Sequence, residues 1–98
     1  MAIHHVRVIG RVQGVGFRQF VRERARALGL SGWVKNQPDG SVELLVAGED
    51  QAAARLLDII RRGPPYADVA AIEPIGASGE ILSVPASELP HPFAVVHE

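Results

Sequence analysis

The sequence predicts an α+β fold: a ferredoxin-like βαββαβ sandwich, an antiparallel four- to five-stranded sheet with two helices on one face. Three observations predict it. Alternating segments and segments of helical period succeed one another in the order β-α-β-β-α-β. Both helical segments have a single apolar stripe, so each covers one side of a sheet. The second and third strands are joined by Gln37-Pro38-Asp39-Gly40, where proline presets the turn and glycine accepts positive φ, as in a hairpin.

Ile3 to Val12 alternates, with Val6, Val8 and Val12 on one side and His5, Arg7 and Arg11 on the other. Ile9 falls on the polar side and makes the alternation imperfect. Gln13-Gly14-Val15-Gly16 breaks this strand, and a helix is expected from Phe17 to Leu28. Its stripe is Phe17, Phe20, Val21, Ala25 and Leu28; Arg22, Glu23 and Arg26 form the polar face; Gly29 stops it. Leu30 to Asn36 and Ser41 to Ala47 are the hairpin strands, the latter with Val42, Leu44 and Val46 on one face. Asp50 is expected to cap a helix over Gln51 to Arg62, striped by Ala53, Leu56, Leu57 and Ile60. Arg61 and Arg62 suit the negative end of its dipole, and Gly63-Pro64-Pro65 ends it. A fourth strand is expected over Ala67 to Ile75. Residues 76 to 92, rich in Gly, Ser and Pro, read as a loop with a short strand at Ile81 to Val84, and Phe93 to His97 adds a last short strand.

With 98 residues the chain is expected to form a single domain, residues 1–98. It has no cysteine, which excludes disulfide frameworks, thiolate zinc sites and cysteine nucleophiles. No stretch approaches the roughly 20 apolar residues that span a bilayer, and Met1 to His5 lacks the parts of a secretory signal. A cytoplasmic location without membrane contact is therefore expected. The formal net charge of −1 argues against a nucleic-acid partner.

The chemistry concentrates in the turn before the first helix. In Gln13-Gly14-Val15-Gly16-Phe17-Arg18 the glycines let successive backbone N–H groups converge on one concavity, and the helix N-terminus adds unsatisfied donors. An anion is the natural occupant, and the Arg18 guanidinium can grip phosphate with two parallel hydrogen bonds. The segment matches neither the Walker pattern, whose GK[ST] ending is missing, nor GxGxxG. On these residues alone, a tight strand-to-helix turn with a surface arginine is an equally good reading. Asn36 is the second candidate. The first two strands flank a helical crossover and run parallel, so their C-terminal ends share one sheet edge. With the third strand between them they stand about 10 Å apart, two strand spacings. Asn36 alone is better read as a turn residue.

Two longer motifs decide between these readings. Gly10-Arg11-Val12-Gln13-Gly14-Val15-Gly16-Phe17-Arg18 resembles the signature of the acylphosphatase family at nearly every position. Gly32-Trp33-Val34-Lys35-Asn36, followed by Asp39-Gly40-Ser41-Val42-Glu43, resembles its second signature, and Gly63-Pro64-Pro65-Tyr66-Ala67 a weaker third. The resemblance covers about residues 3 to 75, and Phe93 to Val95 resembles the closing strand. It departs from the family in the long proline-rich loop at 76 to 92 and in an ending without a basic residue. The resemblance implies hydrolysis of the carboxyl-phosphate anhydride of small acyl phosphates, with no metal and no cofactor, by a monomer. It implies phosphate binding by Gln13, Gly14, Val15, Gly16, Phe17 and Arg18, and catalysis by Arg18 and by Asn36, which orients water. Related domains also occur in large carbamoyltransferases of hydrogenase maturation, so a phosphate-binding module without turnover is one alternative; a chain that ends after one domain favours the enzyme. An RNA-binding ferredoxin-like domain is another. The sheet lacks the paired aromatics of RNA readers, and Trp33 reads as a packing residue. Adjacent His4 and His5 point to opposite faces of a strand and chelate poorly; with His91 and His97 they read as surface residues, so no metal site is expected.

Overall fold

The computed structural model describes residues 2–14, 16–75 and 89–96. Its elements are β1 (Ala2–Arg11), α1 (Phe17–Ala27), β2 (Ser31–Asn36), β3 (Val42–Gly48), α2 (Asp50–Arg62), β4 (Asp68–Pro74) and β5 (Ala94–Val95). The expected strand at Ile81 to Val84, and Val15 of the loop, lie outside the described residues.

The sheet order is β4-β1-β3-β2-β5. β3 is antiparallel to both β1 and β2, so β1 and β2 are parallel and end at the same edge, as the crossover rule requires. The expectation of a wholly antiparallel sheet fails at one place: β5 pairs with β2 in parallel, Trp33 opposite Ala94 and Val34 opposite Val95. The cause is topological. β4 starts beside the end of β1, with Arg11 opposite Asp68, and finishes at the far edge, where β2 begins. A chain returning from that edge enters β5 in the direction of β2.

The core lies between the helices and one sheet face. The α1 stripe buries Phe17, Val21 and Ala25, and the α2 stripe buries Ala53, Leu56 and Ile60. They pack on Val6 and Val8 of β1, Val34 of β2, and Val42, Leu44 and Val46 of β3. Each large apolar side chain removed from water here contributes about 1.5–3 kcal/mol. Phe93, wholly buried, completes the cluster, and the Arg26 Nε donates to its carbonyl at 2.7 Å. Arg26, expected on a solvated face, thus ties the C-terminal segment to α1. On the other sheet face Leu45, Ala47 and Leu89 form a smaller cluster with Ile3 and Trp33, so Trp33 is a packing residue. β3, central in the sheet, is therefore apolar on both faces.

Two local expectations shift. Glu49, rather than Asp50, is the N-cap of α2: its carbonyl already accepts from Ala53 N–H at 2.9 Å, which places Asp50 inside the first turn. There its carboxylate still favours the positive end of the dipole. His5 is half-buried rather than a free surface residue, because its Nε2 pairs with Glu43 Oε2 across the sheet, and His91 Nδ1 meets Ser31 Oγ at 2.9 Å. A bulge interrupts the β1–β4 pairing: Ile9 stands opposite Ala71 and Gly10 opposite Val69, which leaves Ala70 of β4 as the extra residue. Val12, beyond the bulge and past the strand end, still reaches the core. Among the described residues, no helix is long and apolar enough to cross a membrane, and no group of three metal-ligating side chains occurs.

Candidate active site

β1 delivers the chain to the edge it shares with the end of β2, and the connection to α1 is made there. Gly14 and Gly16 adopt φ of 75° and 77°, a left-handed conformation that costs glycine nothing and a residue with a side chain about 1 kcal/mol or more. Gly16 serves as N-cap of α1; its carbonyl accepts from Phe20 N–H at 3.1 Å. The first N–H groups of α1 have no partners within the helix and carry the positive end of its dipole.

At this helix start lies a cavity of about 300 Å³ lined by Gly14, Gly16, Phe17, Arg18, Gln19 and Arg22, with Val12 and Val95 as apolar walls. The expected loop residues Gly14, Gly16, Phe17 and Arg18 thus converge on one space. Arg22, assigned from its sequence position to a solvated face, joins them. The signal that would have found it is its spacing of four from Arg18, one helical turn. Neither arginine is paired with a carboxylate among the described residues. Two guanidinium charges beside a helix N-terminus, facing apolar walls, suit a small anion of double charge.

Gln13 lies at the loop but its amide is turned away from the cavity. Its Nε2 donates to the carbonyls of Gln37 and Ser41 at 2.7 and 2.8 Å, in the β2–β3 turn. Any contact of Gln13 with an anion falls to its backbone. Asn36 ends β2 opposite Val42, at the edge the sequence predicts, but it is not part of the cavity wall. Its Oδ1 is buried and has no hydrogen-bond partner among the described residues. A buried amide oxygen without a partner costs about 1–3 kcal/mol and marks a place where a donor is missing.

The turn beside Asn36 is well braced. Gln37 N–H donates to Ser41 carbonyl at 2.9 Å, and Gly40 N–H to Gln37 carbonyl at 3.1 Å. Ser41 donates to Asp39 Oδ1 through Oγ at 2.5 Å and through N–H at 2.9 Å. The Ser41 hydroxyl first, and then its N–H, hold the Asp39 carboxyl below the usual carboxylate range. Tyr66 of the third motif, 54% exposed, stands over the loop on the opposite flank: a methyl placed on Gly16 would meet its ring at 3.9 Å.

Comparison with known proteins agrees with this geometry. A model of the family described as acylphosphatase matches residues 4–80. The acylphosphatase of Rhizobium meliloti is 58% identical over 65 residues, covering 66% of this chain and 68% of that protein. That of Thiobacillus denitrificans is 47% identical over 76 residues, covering 78% and 85%. Among solved structures, the Bacillus subtilis acylphosphatase superposes with a TM-score of 0.81 at 35% identity, covering 99% of this chain and all (100%) of the other. The HypF of T. kodakarensis superposes with a TM-score of 0.74 at 30% identity over 100% of this chain and 12% of its own. With the family model spanning most of the sequence and relatives at about half identity, this chain belongs to the acylphosphatase family.

Proposed function

We propose that this protein hydrolyses acyl phosphates to carboxylate and inorganic phosphate without a metal. One observation carries the reading: the cavity at the start of α1 joins left-handed glycines, helix N–H groups and two arginines without a carboxylate partner among the described residues, the donor set a terminal phosphoryl group needs. Family membership supports the same reaction.

The phosphoryl group sits in the loop 13–18, with Arg18 on its oxygens and Arg22 adding charge from one turn further along. Water attacks phosphorus in line: the new P–O bond forms as the bond to the acyl oxygen breaks. The electron pair leaves with the carboxylate, and the proton of the attacking water passes to the phosphate product. A carboxylate departs without being protonated, so no general acid is required. The transition state is loose and spreads charge over the phosphoryl oxygens, which Arg18 and the fixed N–H groups stabilise. Asn36 holds the water; its unpartnered Oδ1 supplies an acceptor for a water proton once the site adjusts around substrate. The protein is expected to act as a monomeric single domain in the cytoplasm, with a small molecule and not a nucleic acid as its partner.

Benzoyl phosphate hydrolysis, with and without EDTA, tests this directly. Arg18→Ala should lower kcat/KM at least about 100- to 1000-fold in a folded protein, the loss typical of one transition-state donor. Asn36→Ala should lower kcat with little effect on KM, because it misplaces water and not substrate. Near-normal turnover in folded Arg18→Ala would overturn the assignment. Saturable phosphate binding with no hydrolysis by the natural chain would instead identify a binding module.

A further inference from the structure

We propose that Gln13 is a positioning residue: its side chain fixes the anion loop to the hairpin that carries Asn36, and so sets where the attacking water stands relative to phosphorus. The inference rests on the proposed function and assigns this glutamine a task other than touching the substrate.

The backbone leaves that distance unset. The β1–β3 ladder ends at Val8 opposite Val42. The segment from Ile9 to Val12 therefore runs on without pairing to β3. No backbone hydrogen bond joins the loop to the β2–β3 turn among the described residues. The Gln13 amide is the one side-chain bridge between them there. Both of its N–H groups are used, and their acceptors bracket Asn36: Gln37 follows it in the chain, and Ser41 precedes Val42, its cross-strand partner.

Both carbonyls keep another donor when Gln13 is removed. Ser41 retains Gln37 N–H, and Gln37 retains Gly40 N–H. Neither acceptor is stranded, so the bridge contributes little to holding the hairpin together. Its remaining effect is on register between two halves of one site. A shift of about 1 Å between reacting groups can cost as much as 100-fold in rate.

The test uses Gln13→Met, which keeps length and removes the donor without adding charge. Gln13→Asn, one methylene shorter, is the second variant should methionine disturb folding. Four proteins are compared: the natural chain, Gln13→Met, Asn36→Ala and the double variant. For each, kcat on benzoyl phosphate, the competitive inhibition constant of inorganic phosphate and Tm are measured. The expected result for Gln13→Met is a kcat lower by about tenfold, with phosphate inhibition within about twofold and Tm little changed. In the Asn36→Ala background the same substitution should change kcat by less than about twofold, because the group it positions is gone. Weakening of phosphate inhibition in step with kcat, full multiplication of the two single effects, or unchanged kcat would each overturn the proposal while leaving the function standing. Failure of the natural chain to hydrolyse benzoyl phosphate would remove both.

Discussion

Gly10 links the fold to the site most sharply, and Gly10→Ala is the substitution to make there. Gly10 pairs with Val69 just past the bulge at Ala70 of β4, three residues before the anion loop. Its φ is 137°, and a Cβ built on it would stand 2.1 Å from the Asp68 carbonyl oxygen and 2.8 Å from Ala70 N. Both obstacles are backbone, so no rotamer change relieves them. A tolerable contact begins near 3.0 Å, so β1 and β4 must part by about 0.9 Å here. Overpacking of this kind costs about 1–3 kcal/mol, and the positive φ adds about 1–3 more. A total near 3 kcal/mol lowers Tm by about 12 °C or more in a domain of this size. The displacement falls on β1 just before it leads into Gln13 and the anion loop. On the scale of about 100-fold per ångström, kcat/KM on benzoyl phosphate should fall at least about tenfold at temperatures where the variant is folded. Calorimetry and initial rates on the same preparation read both effects. A Tm within 2 °C of the natural protein, on the scale of about 4–8 °C per kcal/mol, would refute the reasoning.

Two further outcomes follow from the packing and the charges. Phe93→Ala empties a fully buried site that anchors β5, and should cost about 3–5 kcal/mol, again 12 °C or more in Tm; an unchanged melt would mean that the segment bearing Val95 is not held by this ring. Asp39, its carboxyl held low by Ser41, stabilises the fold above its unfolded value near 3.9 and loses that contribution as pH falls through the lower folded value. Urea midpoints of Asp39→Asn should therefore depend less on pH below about 4 than those of the natural chain, and equal slopes would contradict the Ser41 contacts.

The sequence shows most of the fold because its signals are local. Helical stripes, the Gln37 to Gly40 turn and the glycines at 14 and 16 each determine their own backbone, and the crossover rule then brings the ends of β1 and β2 together. What it conceals depends on partners distant in the chain. The direction of β5 follows from where β4 ends, and only two residues carry the pairing. Pairing of His5 with Glu43 needs the β1–β3 register, in which they are diagonal neighbours. Gln13 belongs to the motif for which we propose phosphate binding, yet its amide faces two carbonyls on a hairpin whose position no local pattern specifies. Asn36 is harder still. Its location at the edge follows from topology, but that its oxygen has no partner among the described residues is visible only in three dimensions.

The central claim is attack of water on phosphorus in the loop 13–18, and hydrolysis of benzoyl phosphate in ¹⁸O-labelled water tests it most directly. Mass spectrometry of both products locates the label. The account predicts label in inorganic phosphate, none in benzoate, and a rate at least about 100-fold lower from Arg18→Ala. Label in benzoate would mean attack at the carbonyl carbon and would contradict the roles given to Arg18 and Asn36.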